Sequence, residues 1–406
     1  MTIGLLDYFA QKAPAIAAEQ LKLEVAIRKR LNLARGRKGS GRVPDPFLFH
    51  LVHQQPRPSR EAWNQWVVDA TSAPGYSAQV ENGLIEMPFL GQFHVTSRTK
   101  RALVDLSDRR GPVCSDRSAT LHPYQWVAHH FAVPRFIPSA FRPFFGGRQG
   151  VRSASPDGVA RLQAALQMAR QVGALTWIRQ VVRLVVLFRG GALNSFYNPR
   201  AHGAIFIRIN RACDEYHVFE EIIHQAGHAF FAILLCREPH LIRNQNCTLT
   251  AAFDGSEDGR NVLVALHGLV TEALIAEALF RLRASPGVAE QDLLGRLAFC
   301  LAKFGSDLNA ATRAKRLLTK RGLLWLSTMA RSYASTVREL GPRLSRLDLS
   351  GQPYLFDQHV FIRKNRCLAG TLSPMATGHL CKGWRSAGMS TRLMNQPRWM
   401  RERKRR

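Results

Sequence analysis

Acidic residues are scarce in this chain: 406 residues contain 29 Asp and Glu against 57 Lys and Arg, giving a formal net charge of +28. Hydrophobic residues nevertheless make up 46% of the sequence, which excludes a disordered polycation. Gly and Pro, at 30 and 20 residues, are too few for a collagen-like or low-complexity chain. The length and composition predict two or three folded units.

Long hydrophobic runs are also lacking. The most apolar stretch, 181–188, contains Arg183 and is far shorter than the ~20 residues that cross a bilayer, so we expect no transmembrane segment. The first twenty residues have no basic stretch ahead of an apolar run, so we expect no secretory signal. The seven cysteines form no C-x-x-C pair, which favours reduced thiols and a cytoplasmic protein.

Several functional motifs are missing from the sequence. It contains no G-x-x-x-x-G-K-[ST] phosphate loop, no G-x-S-x-G nucleophile elbow and no zinc-finger spacing. The nearest glycine cluster, 36–41, lacks the spacing of a phosphate loop and a preceding apolar strand. The common nucleotide-binding and serine-hydrolase motifs are therefore excluded.

Composition divides the chain into three regions. Residues 1–154 contain an amphipathic helical pattern at about 13–34 and then Pro-rich, His-rich and aromatic segments, which predict short strands and loops for peptide or substrate recognition. Residues 155–350 predict a helical catalytic domain. Residues 351–406 end in WMRERKRR and predict a basic, disordered extension.

The central region carries the strongest periodicity. We predict a long helix from Asp157 to about Phe188, a strand at 203–209, helices at about 214–236, 257–284 and 319–341, and a shorter helix near 288–304. The predicted fold class is mainly α: a helical metal-binding domain with short strands, preceded by an irregular aromatic and Pro-rich α+β region.

The helical segment YHVFEEIIHQAGHAFF contains His224 and His228, four residues apart. This spacing places two imidazoles on one helix face, one turn apart, as in helices that offer two ligands to one metal ion. The flanking residues are apolar, and histidines inside an apolar helix need partners. The alternative is a chance pair of core or surface histidines.

A third ligand is expected on the next buried helix, NVLVALHGLVTEALIAEALF. His267 is the first candidate, since the neighbouring Gly268 would allow a close helix approach, and Glu272 is the alternative ligand. A core histidine bonded to a carbonyl is the other interpretation of His267. A set of Glu220, His224 and His228 on a single helix spans about 12 Å, too far for one ion. Glu221 and His224 form half of a di-iron E-x-x-H pattern, but no second half is present.

Gln225 decides which chemistry a metal here could support. In H-E-x-x-H peptidases the residue after the first His is a Glu that activates the metal-bound water. A glutamine cannot take that proton, which disfavours hydrolysis. Metal binding does not require this carboxylate. A metal site that activates oxygen is therefore compatible with Gln225.

Taken together, the segments 195–209, 219–231 and 259–279 resemble the H-E-x-x-H-type iron/2-oxoglutarate-dependent peptide β-hydroxylases of ribosomal natural-product pathways. The resemblance covers roughly 155–345 and implies that His224, His228 and His267 bind Fe(II). It implies that Arg260 holds the distal carboxylate of 2-oxoglutarate, and that Gln225 occupies the position of the catalytic Glu. The expected function is hydroxylation of a peptide side-chain carbon.

Other functions stay open. One is a zinc metallopeptidase-like protein of the gluzincin kind, active or inactive, with His224, His228 and Glu272 as ligands. Another is a basic scaffold or nucleic-acid-binding protein without catalysis. Residues 117–211 hold 13 Arg and one acid, Asp157, a pattern that suits nucleic acid or an acidic peptide leader. The chain has no nucleic-acid-binding motif, so under the enzyme interpretation an acidic peptide is the simpler partner. A third account is an Arg-rich composition that serves no binding role.

Overall fold

The computed structural model describes the chain in the stretches 4–30, 45–53, 75–81, 83–87, 89–105, 112–146, 150–190, 193–210, 213–238, 241–244, 247–248, 260–285, 290–353 and 355–365. These residues belong to two units. The sheet unit is Phe9–Arg237, and the helical unit is Met1–Tyr8 with Glu238–Arg406. The predicted catalytic region, 155–350, therefore contains parts of both units, with the His224 and His228 pair in the first and His267 in the second.

Helices dominate the described residues, and short strands are confined to the sheet unit. The helices are α1 (Leu5–Arg30), α2 (Pro46–Val52), α3 (Asp157–Gln171), α4 (Leu175–Val181), α5 (Glu215–Arg237), α6 (Val262–Leu282), α7 (Glu290–Arg313), α8 (Lys320–Leu344) and α9 (Gln358–Lys364). The strands are β1 (Gly75–Gln79), β2 (Leu84–Met87), β3 (Gly91–Val95), β4 (Arg101–Asp105), β5 (Val113–Cys114), β6 (Ala119–Pro123), β7 (Gln125–Val127), β8 (Phe131–Val133), β9 (Arg152–Ser153), β10 (Leu184–Arg189), β11 (Phe196–Tyr197) and β12 (Ala204–Arg208). A mainly α chain with some β structure is thus confirmed.

The largest sheet has the strand order β11-β12-β10-β8-β7, and β9 pairs with β10 off this path. Strand β10 runs parallel to β8 and β12, while the other pairs are antiparallel. Two smaller antiparallel sheets have the orders β1-β4-β5 and β2-β3-β6. The strands predicted for the Pro-rich and aromatic region supply most of these pairs.

Aromatic side chains fill the core against the largest sheet. Phe188 of β10 and Phe206 of β12 are fully buried, and their rings lie 5.1 and 5.9 Å from the ring of Phe145. Phe145 ends a short 3-10 helix, Ser139–Phe145, that contains Pro143. Proline removes a backbone donor and favours such short turns over a long helix. The aromatic segment therefore packs as irregular chain on the sheet.

Helix α5 is buried on nearly every face, and apolar residues occupy most of its surface. Within the sheet unit it packs against α3, α4 and β12. Helix α6 is equally apolar and packs against α7 and α8 in the helical unit. Two buried helices were predicted for these segments, and both are confirmed.

Four details differ from the prediction. The helix expected to run from Asp157 to Phe188 ends at Val181, and 184–189 form strand β10, whose β-branched residues pair with two parallel strands. Gly173, with φ +78°, separates α3 from α4. The first helix begins at Leu5, eight residues before the predicted start, and the helix near 288–304 extends to Arg313.

The predicted disordered extension, 351–406, begins with structure. Helix α9 lies within it, capped by the Asp357 side chain, which accepts a hydrogen bond from the Val360 N–H at 3.0 Å. Its Phe361 is buried, and a Cβ on Gly295 would lie 2.6 Å from that ring. Residues 366–406, which hold the rest of the predicted extension, lie outside the described residues.

Two helices, α5 and α6, are long and apolar enough by length and composition to cross a membrane. Their most apolar windows are 72% and 67% buried inside the protein, as core helices of globular proteins are. This is weak evidence for a membrane span. The expectation of no transmembrane segment stays a prediction.

Candidate functional site

His224 and His228 lie side by side on α5. Their ring centroids are 4.8 Å apart and the ring planes are tilted by 35°. Both side chains are half-buried, whereas the flanking residues Ile223 and Phe230 are fully buried. The predicted arrangement of two imidazoles on one face, one turn apart, is therefore present.

Glu221 lies one turn before this pair, and its carboxylate is held in place. The side-chain amide of Gln225 donates a hydrogen bond to Glu221 Oε2 at 3.1 Å. Burial alone would raise the pKa of Glu221, but the charges of His224 and His217 and hydrogen bonds from Gln225 and Ser195 lower it. Glu221 is therefore an ionised carboxylate beside one of the proposed metal ligands.

Gln225, the predicted candidate catalytic residue, is 2% exposed, and its amide faces Glu221. A Glu at this position would bring a second buried carboxylate to hydrogen-bond distance of the first. Two like charges there would repel each other and lack hydration. Repulsion between two buried carboxylates therefore explains why a neutral amide is favoured at position 225, which the sequence motif alone does not show.

The polar face of α5 continues toward its N-terminus through His217 to Cys213. Burial alone would lower the pKa of His217, but a hydrogen bond with Cys213 and the negative charge of Glu221 raise it to about 9. Burial alone would raise the pKa of Cys213, but the hydrogen bond and charge of His217, a backbone hydrogen bond from Asn210 and the charge of Arg161 together lower it. Cys213 Sγ also lies 3.1 Å from Asn210 Oδ1.

Neither His217 nor Cys213 was predicted from the sequence. A signal was present, because His217, Glu221 and Gln225 follow one another at four-residue intervals on one face of α5. Cys213 precedes the helix by one more such interval, and its hydrogen bond with His217 extends this line of polar groups.

His267 lies on α6, in the helical unit, and its side chain is half-buried. Burial lowers the pKa of His267 to about 4, so that its imidazole is neutral near pH 7. The neutral imidazole is the form that binds a metal ion. A Cβ at Gly268 would lie 2.7 Å from Asp307 Oδ2 of α7, so the glycine makes room for this carboxylate.

Arg260 lies just before α6 and already holds a carboxylate. Its two terminal nitrogens donate to Asp307, with Nη2 2.6 Å from Oδ1 and Nη1 3.1 Å from Oδ2. Asp307 is 6% exposed. This two-point geometry is the one in which guanidinium groups recognise carboxylates. Arg260 is thus paired with Asp307, and its role toward 2-oxoglutarate stays a prediction.

Glu272, the alternative metal ligand, lies near the same ion pair. Its Oε2 is buried without a hydrogen-bond partner. Burial raises the pKa of Glu272 well above its usual value and the negative charge of Asp307 raises it further, while Lys303 and Arg260 act in the opposite direction. The protonated carboxyl group is a poor metal ligand. Asp307 and Lys303 are on α7, and the sequence analysis did not identify them.

No three His, Cys, Asp or Glu side chains are grouped so that they could hold a metal ion anywhere in the described part of the chain. The structure shows the His224 and His228 pair in the sheet unit and His267 in the helical unit. The three-histidine site thus stays a prediction.

No protein-family model matches the chain, and no curated protein matches its sequence.

Proposed function

We propose that the chain is a Fe(II)- and 2-oxoglutarate-dependent oxygenase that hydroxylates a side-chain carbon of a peptide. The observation that carries this proposal is the pair of imidazoles, His224 and His228, 4.8 Å apart on a buried helix. Metal and co-substrate together would supply the oxidising chemistry, in which a C–H bond becomes C–OH while 2-oxoglutarate and O₂ become succinate and CO₂.

The donor set fits a Fe(II) site in part. His224 and His228 would bind the ion through neutral imidazole nitrogens, the ligands that suit Fe(II) and Zn(II) alike. His267, which is neutral near pH 7, would be the third ligand. Glu221 and Gln225 would not bind metal. Their hydrogen bond fixes the face of α5 on which both ligands lie, and charged or hydrogen-bonded neighbours of this kind orient metal-binding histidines.

Arg260 would hold the distal carboxylate of 2-oxoglutarate. Its guanidinium makes two parallel hydrogen bonds to Asp307, which supports its suitability for a carboxylate ligand. Binding of the co-substrate would require Asp307 to share or release these donors. The peptide substrate is expected to carry an acidic segment, since the protein is strongly basic.

Measuring bound metal tests the proposal directly. The protein is loaded with Fe(II) without oxygen, desalted, and its iron and zinc contents are determined. We expect about one iron per chain, lost in the double variant His224→Ala, His228→Ala. The matched control changes two exposed histidines, His129→Asn and His359→Asn, and should retain the iron. Equal metal content in both variants would overturn the site.

The second measurement is consumption of 2-oxoglutarate with and without Fe(II). We expect iron-dependent formation of succinate that disappears in the His224→Ala, His228→Ala variant. If purified protein instead holds zinc and cleaves peptides without 2-oxoglutarate, the gluzincin-type alternative is correct and the oxygenase proposal fails.

A further inference from the structure

The segment that spans the junction of α7 and α8 is strongly basic. Between Asp307 and Glu339 the sequence has seven Lys or Arg and no acidic residue. All seven are exposed: Arg313, Lys315, Arg316, Lys320, Arg321, Arg331 and Arg338. Such a density of one charge raises the electrostatic potential over a surface and attracts ligands of the opposite charge.

Backbone hydrogen bonds hold the centre of this surface in place. The short 3-10 helix Lys315–Leu317 lies beside the segment 241–243. There the Arg243 N–H donates to Leu317 O at 2.7 Å, and Arg243 Nε donates to Leu318 O at 3.2 Å. We define the basic surface as Arg243, Arg313, Lys315, Arg316 and Lys320, all of which are exposed.

Two cations lie at the N-terminus of α8. Lys320 and Arg321 are the first two residues of the helix, and its first turn has no acidic residue. The amide end of a helix favours negative charge, so cations there are unfavourable by themselves. Arg321 is paired with Glu238 at 2.5 Å. An anionic ligand near Lys320 would relieve this unfavourable arrangement.

Exposed leucines adjoin the cations. Leu323 and Leu324, in the first turns of α8, are 37% and 62% exposed. The aromatic residues of the same stretch are less accessible, because Trp325 is buried and Tyr333 is half-buried. Proteins that bind single-stranded nucleic acid commonly stack bases on exposed aromatic rings. A surface of cations and leucines instead suits a peptide with acidic and apolar side chains.

The basic surface lies at the Arg260 end of the α6 and α7 pair. Asp307 of α7 binds Arg260, and Arg313 follows six residues later, about 9 Å along the helix. The proposed co-substrate residue and the basic surface therefore belong to one end of the helical unit.

We propose that the basic surface, together with Leu323 and Leu324, binds an acidic peptide segment that contains apolar side chains. This inference rests on the proposed function in one respect, since the segment would be the recognition segment of the peptide substrate. The cations pair with its carboxylates, and the leucines cover its apolar side chains.

Binding is measured by fluorescence anisotropy on the full chain without iron or 2-oxoglutarate, so that failure of the oxygenase chemistry does not affect the result. The probe is a labelled synthetic peptide of sixteen residues that alternates Glu-Glu and Leu-Leu pairs. An eight-residue poly-glutamate peptide and a single-stranded DNA oligonucleotide with eight phosphates, both equal to the probe in side-chain or phosphate charge, serve as comparison ligands. We expect the Glu/Leu peptide to bind most tightly of the three.

Two charge-reversal variants locate the site. The first is a triple variant, Lys315→Glu with Arg316→Glu and Lys320→Glu. It should weaken binding of the Glu/Leu peptide by about tenfold or more, because three attractive pairs become repulsive. The second is the control, a triple variant with Arg98→Glu, Lys100→Glu and Arg117→Glu. It changes the net charge by the same amount at exposed residues of the sheet unit, and the dissociation constant of the Glu/Leu peptide should stay within about twofold of the parent value. Leu324→Ser should weaken the Glu/Leu peptide but not poly-glutamate.

The proposal is overturned if both charge-reversal variants weaken binding equally, if the oligonucleotide binds more tightly than the Glu/Leu peptide, or if the peptide does not bind. Thermal unfolding by circular dichroism establishes that each variant is folded. A peptide that binds in this way while no 2-oxoglutarate is consumed would support the surface and reject the oxygenase proposal.

Discussion

The buried amide of Gln225 donates its hydrogen bond to the carboxylate of Glu221, over 3.1 Å. This pair separates two interpretations of the H-Q-x-x-H segment. In a degenerate peptidase, the glutamine would be a lost catalytic base. In the structure it is the neutral partner of a buried, ionised carboxylate.

Gln225→Glu should therefore destabilise the protein. The substitution places two carboxylates together at a site where Gln225 is 2% and Glu221 6% exposed. We expect the free energy of unfolding to fall by about 2–4 kcal/mol at pH 8, with partial recovery near pH 5, where one carboxyl group takes up a proton. Urea unfolding at both pH values measures this.

A matched control for this prediction is Gln225→Met, which keeps the volume but removes the donor. It should lose about 1–3 kcal/mol without the recovery at pH 5, because no second charge is present. An unchanged stability of Gln225→Glu, or peptide cleavage by that variant, would contradict our interpretation and favour the gluzincin alternative.

Asp307→Asn should strengthen the binding of 2-oxoglutarate. Asp307 now occupies both donors of Arg260 at 2.6 and 3.1 Å, so its carboxylate competes with that of the co-substrate. Removing its charge leaves the guanidinium available to the ligand. We expect the dissociation constant to fall by about three- to tenfold, as measured by calorimetry on the Mn(II)-loaded protein.

Arg260→Lys is the paired variant for this test. A lysine keeps the charge but loses the two-point geometry, so binding of 2-oxoglutarate should weaken. Weaker binding in Asp307→Asn as well would show that Asp307 orients Arg260 and does not compete with the ligand.

Local sequence pattern predicted the elements that carry the histidines, because α5 and α6 are long, apolar and periodic. It failed at 184–189, where a short apolar run suits a buried helix and a buried parallel strand equally well. The pairing of β10 with β8 and β12 decides that case, and those partners are distant in sequence.

The same limit applies to the candidate site. His217 shares a helix with the histidine pair and could be found from the four-residue spacing, and Cys213 lies one further interval before the helix begins. Asp307 is 47 residues from Arg260, and nothing in the local pattern of α7 marks it as a partner. Contacts between helices determine such pairs, so only the three-dimensional structure reveals them.

His202 should make the protein sensitive to acid. His202 is 1% exposed; its Nε2 lies 3.0 Å from Gln20 Nε2, and its Nδ1 lies 2.7 Å from the Tyr197 hydroxyl. Burial lowers the pKa of His202 to about 3. The unfolded chain binds a proton at this residue near pH 6.5, but the folded chain does not, so stability falls as the pH drops below 6.5. We expect a loss of about 1–2 kcal/mol from this residue between pH 6.5 and 5.

Urea unfolding across this pH range checks the prediction for His202. His202→Gln should show a shallower loss of stability toward acid than the parent protein. The exposed residue His359 serves as the control, since His359→Gln should leave the slope unchanged. Parallel slopes for all three proteins would contradict the assignment.

His217 should act in the opposite direction, at alkaline pH. Although burial alone would lower its pKa, its hydrogen bond with Cys213 and the charge of Glu221 raise the pKa to about 9. The folded chain therefore holds a proton that the unfolded chain releases near pH 6.5, and the stabilisation is fully present below pH 6.5 and disappears as the pH rises toward 9.

Cys213→Ser removes the thiol partner and should reduce the alkaline loss of stability, whereas Cys236→Ser, at an exposed thiol, should not. If Cys213→Ser retained the full alkaline loss, Cys213 would have no part in raising the pKa of His217, and the proposed polar line along α5 would end at His217.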